Sequence, residues 1–449
     1  MSKMFGVLIS GFQLISMVLA VDIDVDSHDS ICKALYYIQE GEWNYYDGFR
    51  KGGTIGMVVS PYYWWNAGEM FGGLVDYYTF CDSSNSTLEG WILDAMYHQA
   101  GAQFDYVPAN QSLVEGNDDQ GIWGLAVMQA VERNFTNPEG HSWLELTQAV
   151  YNTMWARWDT DHCGGGLRWQ IFTWNGGYNY KNTISNGCLF HIAARLARYT
   201  KLNNYSDTAE TVWNWMESVE FITEKDGQMF IQDGATIDDN CTDFTTTEWS
   251  YSYGILMAGC AYMYDYTKDD KWLTRVQEIL KSSSFFFYDG TILSESSCAP
   301  DHCNNDQRSF RSLFARCMGL TSVLVPEVNA TISTYMRSSA IAAAQSCLGG
   351  TDHVTCGENW YKQGWDDVYG LGEQMSALET IQSLLVPQFV VYNTDNGGSG
   401  VSNPEAGLNN RVPTNQNALD ITGKDKAGAG IITAVALAII AGGAVWMVI

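Results

Sequence analysis

The chain is poor in basic residues: 24 Lys and Arg stand against 51 Asp and Glu, for a formal charge of −27 in 449 residues. Proteins that hold nucleic acid need a basic face, so that class of partner is excluded. Proline is equally scarce. Only Pro61, Pro108, Pro138, Pro300, Pro326 and Pro387 fall between residues 22 and 387, which leaves room for long uninterrupted helices. No second ligand pair at zinc spacing accompanies Cys298, His302 and Cys303, so no metal is expected. Asp159-Thr160-Asp161 resembles the start of a calcium loop, but Cys163 and Gln170 stand where oxygen ligands belong. No cofactor is called for.

Both ends of the chain lack charge over long stretches. Lys3, the apolar run Val7–Leu19 and the small-residue site at Ala20 read as a secretory signal over residues 1–20. Residues 431–449 carry no charge, and Gly423 precedes them with a short polar spacer. That order is the signal for a GPI anchor, a true membrane span being the competing reading; Gly423 is the expected attachment residue, with Thr422 and Asn417 as alternatives, and 424–449 the removed propeptide. Six sequons are candidate glycan sites: Asn85, Asn110, Asn134, Asn204, Asn240 and Asn329. Asn240 is the least favoured, because Cys241 follows it. Eleven cysteines in a secreted chain imply disulfides and at least one thiol outside them. Cys298/Cys303 and Cys347/Cys356 are close enough to pair locally, while Cys188, Cys260 and Cys317 sit in apolar helical runs as buried thiols.

What the chain has in quantity is helical periodicity and aromatics. Six runs rich in small residues, at about 62–80, 119–134, 186–200, 250–267, 308–324 and 371–386, alternate with six amphipathic ones, at about 30–46, 88–100, 140–157, 206–222, 271–286 and 328–347. Repeats of roughly 50–65 residues built this way are helical hairpins. Six of them close into an all-α (α/α)6 barrel spanning 21–387, an open solenoid being the alternative. Residues 388–423, rich in Asn and Gly, read as a flexible stalk.

In a barrel, the loop before each small-residue helix lies at one end. Those loops carry acids, amides and aromatics: Tyr62–Trp65, Asn117–Gln120, Lys181–Gly187, Thr247–Tyr251, Asn304–Arg308 and Asp366–Gly370. The adjacent acids Asp118 and Asp119 open an apolar helical run. Two neighbouring carboxylates repel, so one holds a proton. One proton donor beside one free carboxylate is the equipment of a glycosidase. Asn117 and Gln120 are candidates to orient the acids or bind sugar hydroxyls, with helix capping the other role for Asn117. Trp64, Trp65 and Trp169 are candidate sugar platforms. Asn186, Asp366 and Asp367 are further candidate binding residues, and Asp238-Asp239 is another acidic pair.

Several motifs bear on kinship: Pro61-Tyr62-Tyr63-Trp64-Trp65 with Ala67-Gly68; Asn117-Asp118-Asp119-Gln120 with Trp123-Gly124; Cys163–Gln170; Lys181-Asn182 through Ser185-Asn186-Gly187; Trp249-Ser250-Tyr251; and Gly370–Leu378. Together they resemble glycoside hydrolase family 76, in its branch of fungal GPI-anchored cell-wall mannan endo-1,6-α-mannosidases. The resemblance implies an (α/α)6 barrel, a retaining mechanism on α-1,6-linked mannose and no metal. It implies that Asp118 is the nucleophile and Asp119 the acid/base. It also implies a GPI-core glycan or α-1,6-mannoside as donor and cell-wall glucan as acceptor. A monomer, anchored at the outer face of the plasma membrane, is expected. The competing class is a non-catalytic glycan-binding wall protein on the same barrel.

Overall fold

The computed structural model describes residues 21–409 other than 301, 352 and 363, together with 430, 432–434, 436 and 437. The signal peptide, Gly423 and most of the expected propeptide lie outside the described residues. No helix among the described residues is long and apolar enough to cross a membrane.

Twelve α-helices are found among the described residues of 21–409, in chain order: α1 His28–Glu42, α2 Trp64–Cys81, α3 Ser86–His98, α4 Asn117–Glu132, α5 Trp143–Trp155, α6 Thr183–Thr200, α7 Asn203–Ser218, α8 Ser250–Thr267, α9 Asp270–Ser282, α10 Phe310–Leu324, α11 Asn329–Ser346 and α12 Leu371–Gln382. The even-numbered helices pack in a ring, each on the next, and α12 closes on α2. The odd-numbered helices lie outside. This is the (α/α)6 barrel expected from the alternation of small-residue and amphipathic runs.

The two sets differ as their sequences require. In α9, Asp269 caps the helix by accepting from Lys271 N, and Trp272, Val276, Ile279 and Leu280 form one buried stripe. In α8, by contrast, every residue from Ser252 to Met263 is buried. Close approach fixes the small residues there: a Cβ on Gly254 would lie 2.8 Å from the Phe314 backbone of α10.

The barrel interior also carries ion pairs. Arg316 of α10 donates to Glu69 of α2 (3.1 Å) and Glu379 of α12 (3.0 Å). Arg195 of α6 meets Glu132 of α4 at 2.7 Å, and Tyr262 of α8 donates to the same carboxylate at 2.6 Å. Each contact joins different inner helices, so the set fixes their register around the axis.

Four disulfides are present: Cys32–Cys81, Cys163–Cys241, Cys298–Cys303 and Cys347–Cys356. Cys188, Cys260 and Cys317 are free and buried. Short antiparallel strands decorate the loops. Tyr180–Asn182, Gly234–Thr236 and Phe244–Thr245 form one sheet with the middle segment central.

The stalk reading is corrected for residues 389–408. They form a strap that crosses the barrel end opposite the helix N-termini of the inner ring and then climbs along α5. Tyr392 N donates to Glu132 O (3.0 Å), Thr394 N to Tyr199 O (3.2 Å) and Ser399 N to Asn134 Oδ1 (2.9 Å). Higher up, Asn403 N donates to Gln148 Oε1 (2.6 Å), and Asn152 donates to Pro404 O and Ala406 O at 2.8 Å each. The polar residues that suggested a solvated tether are matched by side chains waiting on the barrel.

Among the sequons, Asn110, Asn204, Asn240 and Asn329 are exposed. Asn85 is half-buried and caps α3. Asn134 is half-buried with its amide on the strap.

Candidate active site

The N-terminal end of the inner ring opens into a cleft of about 680 Å³. Its centre is the first turn of α4. Gly116 is the N-cap, and its N–H donates to Asp119 Oδ2 at 2.6 Å. Asp119 N donates to Asp118 Oδ1 at 3.1 Å. Only glycine fits at 116, because a Cβ would lie 2.1 Å from Asp118 Oδ1 and 2.9 Å from Trp169 O. The turn is clamped from behind. Asn117 N donates to Trp169 O (2.7 Å) and Asn117 Nδ2 to Arg168 O (2.9 Å), while Arg157 Nε donates to Asn117 Oδ1 (2.8 Å). Gln120 donates to Asp105 O (2.7 Å) and Thr153 Oγ1 (2.9 Å).

The clamp corrects two expectations. Asn117 and Gln120 are buried and turned away from the cleft. They hold the turn that carries the acid pair, the orienting role of the two expected, rather than the sugar-binding one. The helix begins at Asn117, two residues earlier than the apolar run implied, so Gly116 caps it. Asn186 is likewise buried, bonding Leu167 N (2.7 Å) and Leu167 O (3.1 Å) beneath the Cys163–Gln170 loop. Asp366 accepts from Glu358 N, Asn359 N and Val368 N, folding its own loop, and Asp367 is exposed; neither lines the cleft. Asp238 and Asp239 are exposed and also lie off it.

The walls are aromatic. Trp64 and Trp65 are nearly buried at the cleft floor, Trp64 donating to Gln99 Oε1 at 2.8 Å. Trp169 and Tyr63 are exposed and line the cleft. Tyr251 stacks on Phe310 with ring centroids 3.8 Å apart. The Cys163–Cys241 disulfide ties the loop that carries Trp169 to the segment before α8.

Besides Glu115, two acids escaped the sequence analysis as individual site residues. Asp233 accepts from Tyr180 Oη at 2.7 Å and is held at the rim by the small sheet. Asp306, in the loop before α10, lines the same cleft. The echo of Asp119-Gln120 in Asp306-Gln307 was a usable signal for the second. Nothing local marks Asp233.

Among the described residues lining the cleft there are five carboxyls, Glu115, Asp118, Asp119, Asp233 and Asp306, and no Lys, Arg or His. Uncompensated burial therefore favours protonation. Burial lifts the Asp118 carboxyl to about 7, with Asp233 adding to the rise. Asp119 rises well above the usual carboxylate range through burial and then through the Asp118 charge. The pair is thus split: Asp118 ionises first and Asp119 keeps its proton.

The model of glycosyl hydrolase family 76 matches residues 30–395. The chain belongs to glycosyl hydrolase family 76. Within this family, the mannan endo-1,6-alpha-mannosidase DFG5 of Candida albicans is 59% identical over 96% of each chain. The mannan endo-1,6-alpha-mannosidase DCW1 of Saccharomyces cerevisiae is 51% identical over 96% of this chain and 95% of its own. Among solved structures, Dfg5 from Chaetomium thermophilum in complex with glucosamine superposes with a TM-score of 0.81 at 35% identity, covering 86% of this chain and 97% of that one. An inactive variant of a Salegentibacter alpha-1,6-mannanase, two adjacent aspartates changed to asparagine and mannotriose bound, gives 0.63 at 15% identity over 79% and 99%. That last likeness is one of fold. Membership of family 76 makes the chain a glycoside hydrolase, and the split carboxyl pair is the feature of its cleft equipped for that chemistry.

Proposed function

We propose that the chain is a retaining, endo-acting α-1,6-mannosidase that also works as a transglycosylase, with Asp118 as nucleophile and Asp119 as acid/base. The observation that carries this reading is the adjacent acid pair in the first turn of α4, fixed by the Gly116 and Asp119 N–H groups in an aromatic cleft with no Lys, Arg or His among its described lining residues. In the first half-reaction an Asp118 oxygen bonds to the anomeric carbon. The bond to the leaving oxygen breaks, and the Asp119 proton passes to that oxygen. In the second, an incoming hydroxyl gives its proton to Asp119, bonds to the anomeric carbon and releases Asp118 as carboxylate. Aromatic faces on either side offer the apolar contacts that pyranose rings accept. The glycan-binding protein without catalysis would have no use for two acids held at different proton affinities.

The donor is an α-1,6-mannoside or GPI-core glycan and the acceptor cell-wall glucan. The enzyme acts as a monomer, secreted and held by a GPI anchor at Gly423. The names of the fungal relatives support the α-1,6-mannoside donor, the uncharged run 431–449 supports the anchor, and the glucan acceptor and the monomer are carried over from the family resemblance. The test is incubation of purified protein with a defined α-1,6-mannooligosaccharide, with and without a glucan oligosaccharide, followed by product mass. Mannosyl units added to the acceptor support transfer. Free reducing mannosides alone leave a hydrolase. No product in either case sinks the enzyme.

A further inference from the structure

The calcium-like start Asp159-Thr160-Asp161 is a motif that no step above uses, and the fold gives it a cation of its own. Lys181 enters from the short strand Tyr180–Asn182, and its side chain has no exposed surface. A buried ammonium must place all three of its N–H groups. Lys181 Nζ places them on backbone carbonyls of a single loop: Asp159 O at 3.0 Å, His162 O at 2.7 Å and Gly165 O at 2.6 Å. The Asp159 carboxylate stands 3.4 Å away, and from α7 the ring of Trp215 faces the ammonium at 5.9 Å. Main-chain oxygens and a carboxylate around one point charge are ligands of the kind that calcium takes. Here an ammonium sits at their centre.

The loop so gathered is the one that clamps the acid pair. Its far end supplies two carbonyls to Asn117: Arg168 O to Asn117 Nδ2 at 2.9 Å and Trp169 O to Asn117 N at 2.7 Å. Arg168 is set by the same cage, because its Nε donates at 3.0 Å to Asp159 Oδ2, the oxygen that faces Lys181. Trp169 N donates at 2.7 Å to the carbonyl of Tyr180, the residue before Lys181. The Cys163–Cys241 disulfide and Asn186 hold two further points of the loop; the stretch from Asp159 to Gly165 is gathered on Lys181. Burial pulls the Lys181 ammonium down to about 8, with Asp159 opposing, so at about pH 7 most of it is charged. The charged groups that face it, Asp159, Arg168 and Asp161, all lie on this loop.

We propose that Lys181 is a positioning residue for the reaction: its ammonium is the built-in cation of the 159–166 loop and, through the carbonyls of Arg168 and Trp169, holds the turn that carries Asp118 and Asp119. Its effect on turnover rests on the roles proposed for those two acids. Its effect on the loop does not.

The test uses the purified protein at about pH 7. Lys181→Ala removes three methylenes and the ammonium, which is the outline of propylammonium. It lowers kcat on an α-1,6-mannooligosaccharide by about 10- to 100-fold, as small misplacements of reacting groups do, with KM changed less. It also speeds amide exchange in 116–120 and 159–170 and leaves α9 as in the parent. Added propylammonium chloride restores both properties. Neither 1-propanol, similar in size but uncharged, nor sodium chloride at equal ionic strength does so. Should Lys181→Ala not fold, Lys181→Met keeps the stem, loses the charge and shows the same faster exchange in the two segments. Parental turnover and exchange in the variant, a loss that propylammonium leaves in place, or a rescue shared by 1-propanol overturns the proposal. A parent that turns over no mannoside removes the mannosidase reading, and the exchange readout with its rescue then decides the role of Lys181 by itself.

Discussion

Replacing Asp118 by Asn should stabilise the fold while abolishing turnover. The folded protein lifts this carboxyl from 3.8 to about 7, chiefly by burial. Three pH units correspond to about 4 kcal/mol, at 1.36 kcal/mol per unit. The sign follows from proton uptake. Between roughly pH 4 and 7 the folded state holds a proton that the unfolded state has released, so stability falls as pH rises through that window. Above about 7 the full cost of the buried charge is present. Asn carries no charge, and its Oδ1 can still accept from Asp119 N. It forgoes the attraction of the α4 N-terminus for an anion, worth up to about 1 kcal/mol. The expected net gain at pH 8 is therefore about 2–3 kcal/mol, or roughly 2–5 °C in Tm for a domain of this length. Thermal unfolding of parent and variant at pH 4, 6 and 8 checks it. The Tm difference should be near zero at pH 4 and widen with pH. A variant less stable than the parent at pH 8, or a gap independent of pH, refutes the reasoning.

Other expectations are as direct. In the parent, kcat/KM should rise as pH passes about 7, because Asp118 must be ionised to attack; a flat profile from pH 5 to 8 contradicts the assignment. Asp119→Ala should lose about 10²–10⁴-fold on an oligosaccharide. With an aryl α-mannoside, added azide should restore turnover and yield the α-mannosyl azide, and an unresponsive variant argues against the acid/base role. Arg316→Met leaves Glu69 and Glu379 buried without their cation and should cost about 3–5 kcal/mol in urea unfolding; a loss under about 1 kcal/mol would show that protons replace the guanidinium freely. Truncation after Gln388 removes the partners of Asn134, Gln148 and Asn152 and should lower Tm and speed amide exchange in α5, whereas a free stalk would leave both unchanged.

The twelve helices were legible because a ring of close-packed inner helices demands small residues and an outer ring demands stripes, and both leave periodic marks. The acid pair was legible because two adjacent acids at a helix start are electrostatically unusual. Asn117 and Gln120 flank that pair, yet a helix start turns successive side chains about 100° apart, so nearness in sequence did not mean nearness to the cleft. Asp233 reaches the site from a short strand whose place depends on pairing with a segment about 50 residues earlier. The strap was misread because composition reports polarity but not the presence of complementary amides elsewhere in the chain. The sixth loop, Asp366–Gly370, was placed at the correct end, but Tyr62 Oη binds Leu371 N at 2.9 Å and closes that side.

The path of the strap has a geometrical outcome. It passes under the barrel but does not leave from there. Gly407 rests against Ala149 and Thr153, near the end of α5 whose Thr153 supports Gln120 beside the acid pair. The last described stretch of this segment therefore departs from the side wall, close to the rim of the mouth. A pull on it would tip the mouth toward the pull rather than away. The load would reach the Asn152 contacts first and peel them singly, like a seam, before it strained the ring of helices.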